Sequence, residues 1–132
     1  RSKHLLQRVW NMAQAAGRAG DPEIAAALSG IEIDIMAIEA TTLRLLASAE
    51  AGVRIGAETS LLKVRGTEIQ QGLTELMLDI AGPAALPDRD SACAEEPFEN
   101  VAYQFLNWRK LSIYGGSNEI QRSILAGQVL GL

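Results

Sequence analysis

The sequence predicts an all-α fold, an up-and-down bundle of about four to five helices, and three observations carry that reading. Apolar residues recur at alternating three- and four-residue steps over long stretches, the period of a helix buried along one stripe. Of 132 residues 48% are hydrophobic, with Leu, Ile and Ala foremost, whereas aromatics make up only 5%, a composition of packed helices rather than of β-structure or disorder. Three of the four prolines fall within residues 83–97, so the remainder is nearly free of helix breakers.

The first helix is expected over about Ser2–Ala16, where Leu5, Val9, Met12 and Ala16 form a stripe widened by Leu6, Trp10 and Ala13. Gly17 and Gly20 supply its stop. Asp21-Pro22-Glu23 then reads as a helix start, with Asp as N-cap, Pro at the first helical position and an acid in the positive first turn. Ile24, Leu28, Ile31, Ile35, Ile38, Thr42, Leu45 and Ala49 extend the second helix to near Gly52. At 1.5 Å per residue it spans roughly 45 Å and requires neighbours of similar length.

A third helix is expected over about Ala57–Ile80, with Leu62, Ile69, Leu73, Leu76 and Ile80 on one face. Gly66 and Gly72 within it each cost on the order of 1 kcal/mol relative to Ala, and close helix–helix packing is the expected reason for both. Gly82-Pro83 stops this helix, and residues 83–97, with Asp88, Asp90, Glu95 and Glu96, read as a long surface loop. Phe98, Val101, Phe105 and Trp108 mark a fourth helix whose aromatics are expected in the core. Ile120, Ile124 and Leu125 give one face of a short fifth helix, with Ser117 as N-cap and Glu119 in its first turn.

Composition excludes several functions. A net charge of -4 with scattered Lys and Arg lacks the basic stripe of a nucleic-acid binder. No apolar run reaches membrane-spanning length. The lone cysteine, Cys93, has neither a disulfide partner nor a metal-ligand set, and no metal is expected. The lone histidine, His4, lies far from any acid–base partner and reads as a solvated helix residue. There is no Walker loop, dinucleotide fingerprint or HExxH. Carboxylate pairs such as Glu32/Asp34 and Glu95/Glu96 read as solvated charges.

One stretch stands apart: Ile113-Tyr114-Gly115-Gly116-Ser117-Asn118-Glu119-Ile120-Gln121-Arg122. Adjacent glycines remove Cβ bulk, so a ligand can approach the main chain closely. The following helix opens with N–H groups that have no intrahelical partner. As a string, this segment resembles the C-terminal signature of the acyl-CoA dehydrogenase family, followed by Val129-Leu130-Gly131-Leu132. Ile33–Ala37 through Leu43–Leu46 resembles the family's long second helix, and Leu62-Lys63-Val64-Arg65-Gly66-Thr67-Glu68 its third-helix segment. Asp79–Pro83 falls where the family's helix leads into a turn.

The resemblance implies a C-terminal helical bundle domain over residues 1–132, truncated in its first helix, of an enzyme that holds FAD between this bundle and N-terminal and middle domains not encoded here, with a second subunit at the cofactor's far end. Such an enzyme oxidises an acyl-CoA thioester to the 2,3-enoyl-CoA and passes electrons to an electron-transferring flavoprotein or similar acceptor. It also implies a homo- or hetero-oligomer and a cytoplasmic location of bacterial type, with the mitochondrial matrix as the alternative. Tyr114 and Gly115 are the implied substrate contacts, and Gly116, Ser117, Asn118 and Glu119 the implied cofactor contacts. Many members carry the α-proton base as Glu where this chain has Gly115, so no catalytic residue is assigned. The base is then expected upstream of residue 1, or the chain is a non-catalytic subunit or a helical oligomerisation module. Where many members have Arg-Lys-x-Phe-Gly this chain has Arg18-Ala19-Gly20-Asp21-Pro22, which leaves Arg18 without a carried-over role. The residues alone are expected neither to bind FAD tightly nor to oxidise an acyl-CoA. An apolar seam around Ile31, Ile35 and Leu73 is expected to be uncovered.

Overall fold

The computed structural model describes residues 2–86 and 97–132, and among them there are five α-helices and no strand. These are α1 (Ser2–Ala15), α2 (Pro22–Glu50), α3 (Glu58–Ala81), α4 (Val101–Trp108) and α5 (Asn118–Leu125). Short 3-10 turns follow α3 (Gly82–Ala85) and α4 (Arg109–Ser112), and a π-helical turn (Ala126–Leu130) continues α5. The expected loop at 83–97 is therefore partly a 3-10 turn. Its members Asp88, Asp90, Cys93, Glu95 and Glu96 lie outside the described residues.

The first two helices end alike. Arg18 N–H donates to Ala13 O and Gly17 N–H to Gln14 O, and Val53 and Gly52 repeat the pair on Ser48 and Ala49. These crossed bonds satisfy carbonyls that the helix leaves open. Asp21 caps α2 as expected, accepting from Glu23 N–H at 3.0 Å, with Pro22 in the first turn. Arg18, which lies between these two features, donates to the Asp21 carboxylate at 3.0 Å and to the Asp79 carbonyl at 2.9 Å. It thus ties the α1–α2 corner to the last turn of α3. Arg8 of α1 reaches the carbonyls of Pro97 and Glu99, fixing the chain that leads into α4.

α3 is the common wall, for α1, α2, α4 and α5 all pack against it. Its buried residues are Ser60, Val64, Ile69, Leu73, Thr74, Met77, Ile80 and Ala81, a wider set than the single face expected from the sequence. Leu62 and Leu76 are only partly covered, because a helix packed by neighbours on several sides has no single inward direction. The core joins these to Leu5, Val9, Met12 and Ala13 of α1, Ile24, Leu28 and Ile35 of α2, and Val101 of α4, with Phe98 and Trp108 packed alongside. Phe98 sits in the turn before α4 rather than within it.

Two packing expectations are corrected. Gly72 does face a neighbour, since a Cβ there would stand 3.9 Å from Ile31 Cδ1, but a Cβ at Gly66 would meet open space. Ile35 and Leu73 are buried, not bare, because α1 covers α2 and α3 together. The exposed apolar side chains of α2 lie on its other side and toward its C-terminal end: Ile33, Met36, Leu43 and Leu46. Ala49, at the end of the predicted seam, is exposed as well.

Three outcomes are expected. Leu73→Ala, at a side chain with 0% exposure, destabilises the chain by about 3 kcal/mol in urea denaturation, whereas Leu43→Ala changes stability by less than about 0.5 kcal/mol. The apolar residues left bare on α2 favour self-association, so sedimentation of the chain depends on concentration, and Met36→Lys with Leu43→Lys weakens that dependence. The third outcome concerns acid. The Arg18 side chain, then the Glu23 N–H, hold the Asp21 carboxyl below its ordinary value of 3.8. A lowered folded-state pKa adds stability that is complete above the unfolded value and is lost as pH falls through the folded one. Asp21→Asn keeps a capping oxygen but loses the charge, so it is less stable than the parent at neutral pH, and the difference closes below about pH 4.

Candidate functional site

The glycine corner hangs between two anchors on α3. On the upstream side, Gln71 Nε2 lies 3.2 Å from the carbonyls of Trp108 and Arg109 and 3.3 Å from Ser112 Oγ. Arg109 donates to Glu75 at 2.6 Å, to the Gln71 carbonyl at 3.1 Å and to Thr74 Oγ1 at 3.3 Å. Its guanidinium also lies 4.6 Å from the centre of the Phe105 ring, an attraction between cation and ring face. Phe105 is accordingly a half-buried platform for Arg109, not a core residue.

On the downstream side, Asn118 opens α5 and is only 5% exposed. Its Oδ1 accepts from Lys63 Nζ at 2.7 Å, and its Nδ2 lies 3.0 Å from Thr67 Oγ1. Thr67 Oγ1 also stands 2.8 Å from the Val64 carbonyl. A hydroxyl carries one hydrogen; given to the Val64 carbonyl, it leaves the hydroxyl oxygen free to accept from Asn118. Glu68 pairs with Arg122 at 2.6 Å and with Arg65 at 2.8 Å, and Arg65 reaches Asp34 of α2 at 2.6 Å. Glu68 first, then Asp34, raise the Arg65 pKa further. These charges are a third or more exposed, so each pair contributes less than about 1 kcal/mol.

Between the anchors the chain leaves α3. Tyr114, Gly115 and Gly116 are all exposed. Gly115 (φ 71°) and Gly116 (φ 82°) are both left-handed, a conformation that side chains with Cβ disfavour. A Cβ at Gly115 would have open space, whereas one at Gly116 would stand 2.5 Å from Gln121 Nε2. Gln121 is held there by a 3.3 Å bond to the Gly115 carbonyl. Among the described residues no acceptor is seen for the N–H groups of Gly115 and Gly116. Both residues are exposed just ahead of the N-terminus of α5, Gly115 with open space around it and Gly116 with the Gln121 side chain beside it. Such a donor set suits the carbonyl or phosphate oxygens of a ligand.

Ser117 caps α5 as expected, its Oγ accepting from Ile120 N–H at 3.4 Å. The Glu119 carboxyl is held below its usual range, chiefly by its own backbone N–H and the Ser117 hydroxyl, with Arg122 and Lys63 adding to the effect. Ile120, expected on the inner face, is exposed, while Ile124 and Leu125 are partly covered. The structure thus brings Tyr114, Gly115, Gly116, Ser117 and Glu119 to one open corner and turns the Asn118 side chain away into α3. Arg18 is engaged elsewhere, and His4 is exposed on α1.

The supporting residues Lys63, Thr67, Gln71 and Gln121 were not singled out by sequence reasoning as a group. One signal was present: Lys63 and Thr67 are four apart on α3 and therefore share a face. Among the described residues no three His, Cys, Asp or Glu side chains are placed to hold a metal, and no helix is long and apolar enough to cross a membrane.

Comparison with known proteins agrees with this fold. Residues 3–130 match the family model of the acyl-CoA dehydrogenase C-terminal domain. The chain is 28% identical to acyl-CoA dehydrogenase FadE34 of Mycobacterium tuberculosis over 92% of its own length and 18% of the relative's. It is 30% identical to acyl-CoA dehydrogenase IpdE1 of Mycolicibacterium smegmatis over 92% of its length and 28% of the relative's. The chain therefore spans less than a third of these curated relatives. A solved structure, a variant of the Tcur3481-Tcur3483 steroid ACAD, shares the fold with a TM-score of 0.82 at 21% identity, over all of this chain and 34% of that one. Four helices around α3, an open Gly-Gly corner ahead of α5 and a family match over nearly every residue lead to one conclusion: the chain belongs to the acyl-CoA dehydrogenase family and forms its C-terminal domain.

Proposed function

We propose that this chain works as the C-terminal helical domain of an FAD-dependent dehydrogenase that converts an acyl-CoA to its 2,3-enoyl-CoA. The observation that carries the reading is the pair of exposed, left-handed glycines, with no acceptor among the described residues for their N–H groups, ahead of a capped helix start. In this reading Tyr114 and Gly115 border the thioester. The Gly115 N–H donates to its carbonyl oxygen, favouring the charge that develops there once the α-proton departs. Gly116, Ser117 and Glu119 face the cofactor, and Asn118 contributes through its position in the first turn of α5. The chemistry that bound FAD would supply is acceptance of the hydride from the β-carbon. The domains that hold it, its electron acceptor (an electron-transferring flavoprotein or similar), an oligomeric assembly and a bacterial cytoplasmic location belong to the same proposal.

The α-proton base lies outside the corner. Gly115 has no side chain to accept a proton, and Glu119, the neighbouring carboxylate, is held low. General-base work wants a pKa near the operating pH. A second reading, an inactive subunit of a heteromeric dehydrogenase, draws on the same absence of a base at Gly115.

The test is the longer protein that contains this chain. It is expected to hold about one FAD per subunit, as the family pattern implies, and to lose flavin absorbance on adding an acyl-CoA. Flavin retained without any acyl-CoA-dependent bleaching, across short, long and ring-bearing acyl groups, favours the inactive-subunit reading. Absence of flavin defeats both. Gly116→Ala is expected to lower thermal stability more than Gly115→Ala, since both pay left-handed strain of about 1–2 kcal/mol but only the former collides with Gln121. If the base is an upstream Glu, its removal abolishes turnover, and Gly115→Glu in that background restores part of it.

A further inference from the structure

Lys63 is a charged side chain with an unusual companion. It lies on α3, partly covered, and its ammonium hydrogen-bonds the buried amide of Asn118, while the Glu119 carboxylate feels its charge without a hydrogen bond to it. Glu68, one turn further along α3, is occupied by Arg65 and Arg122. Lys63 therefore donates to an oxygen that has little access to water. A hydrogen bond to a charged group is roughly twice as strong as a neutral one, and its loss leaves a buried acceptor unpaired.

Asn118 is also the first residue of α5 and is separated from Gly116 only by the cap Ser117. Among the described residues, no acceptor is seen for the Gly115 and Gly116 N–H groups, so the corner has few restraints of its own besides the 3.3 Å bond from Gln121. Its downstream end is set by where Asn118 is held, and Asn118 is held by Lys63 from one side and Thr67 from the other.

We infer that Lys63 is a positioning residue for the glycine corner, acting through the Asn118 side chain to fix the first turn of α5, and with it the direction of the Gly115 and Gly116 N–H groups. The inference deepens the proposed function, on which its ligand side rests; its conformational side stands on this chain alone. Lys63 touches neither substrate nor cofactor in this scheme. An ammonium is suited to the task because its three donors tolerate small shifts of the amide.

The experiment has two arms. In the chain itself, residue-resolved amide exchange is measured for Lys63→Met, Asn118→Ala and the double variant, with Lys3→Met, which removes an exposed partner of Glu39, as the control. Each single variant is expected to speed exchange over 119–121 by on the order of tenfold, with the core of α2 and α3 unchanged. The double variant is expected to match a single one, as coupled partners do, and Lys63→Arg to restore protection. Unchanged exchange in Lys63→Met, or additive effects in the double variant, overturns the inference. Should Lys63→Met fail to fold, Lys63→Gln carries the same reading with the charge removed and a donor kept.

In the longer protein, Lys63→Met is expected to weaken FAD retention, read by flavin fluorescence on dilution, on the order of tenfold, and Lys63→Arg to recover it. Intact retention in Lys63→Met alongside loosened exchange overturns the ligand side only. A parent protein that binds no FAD defeats the proposed function and leaves the exchange arm to decide the positioning role.

Discussion

The whole arrangement depends on α3 being covered on more than one side. A helix with Leu73, Thr74 and Met77 all fully buried cannot rest in a single groove; it needs α1 and α2 on one part of its surface and α4 and α5 on another. The cost of leaving such side chains in water, about 1.5–3 kcal/mol for each large apolar one, is what holds the short helices α4 and α5 in place. Neither is long enough to be stable alone, since isolated helices below about 12–15 residues are marginal in water. The corner between them inherits its position from α3 and not from its own sequence.

Polar contacts then refine what burial has placed, and they do so unequally. The chain of charges from Asp34 through Arg65 and Glu68 to Arg122 crosses three helices, yet its members are open to solvent and largely screened. The Lys63–Asn118–Thr67 cluster involves fewer charges but a buried amide. Where water is excluded, satisfying a polar group matters more than counting ion pairs. Arg109 behaves similarly on the other flank, spreading its donors over Glu75, Gln71 and Thr74 while stacking on Phe105.

Helices were legible in the sequence because each announces itself locally. Asp21-Pro22 marked the start of α2, Ser117 the start of α5, and the 4-3 steps from Ile24 to Leu45 marked the seam that is buried or half-buried. The buried set of α3 was less legible, since period arguments assume one inward face and Val64, Thr74 and Met77 lie off it. For the site, the open glycines were legible from Gly115-Gly116 itself, whereas the inward turn of Asn118 was not. An Asn beside a helix N-terminus reads as a ligand contact or a cap unless the facing helix is known. The partners Lys63 and Thr67 stand 55 and 51 residues away, beyond the reach of any local pattern.

The two anchors of the corner also set a rule about chain length. Ser112 is tied to Gln71 and Asn118 to Lys63 and Thr67, and Gln71 lies just one helical turn beyond Thr67 on the rigid rail of α3. An inserted or deleted residue between Ser112 and Asn118 would have to be absorbed by the exposed turn alone, or rotate α5 by about 100° per residue and carry Asn118 off its partners. Side-chain identity at Gly115 is under no such restriction, because a Cβ there meets open space and faces only the strain of its backbone angle. An acidic side chain placed at Gly115 would therefore meet backbone strain alone, whereas a change of spacing would displace α5.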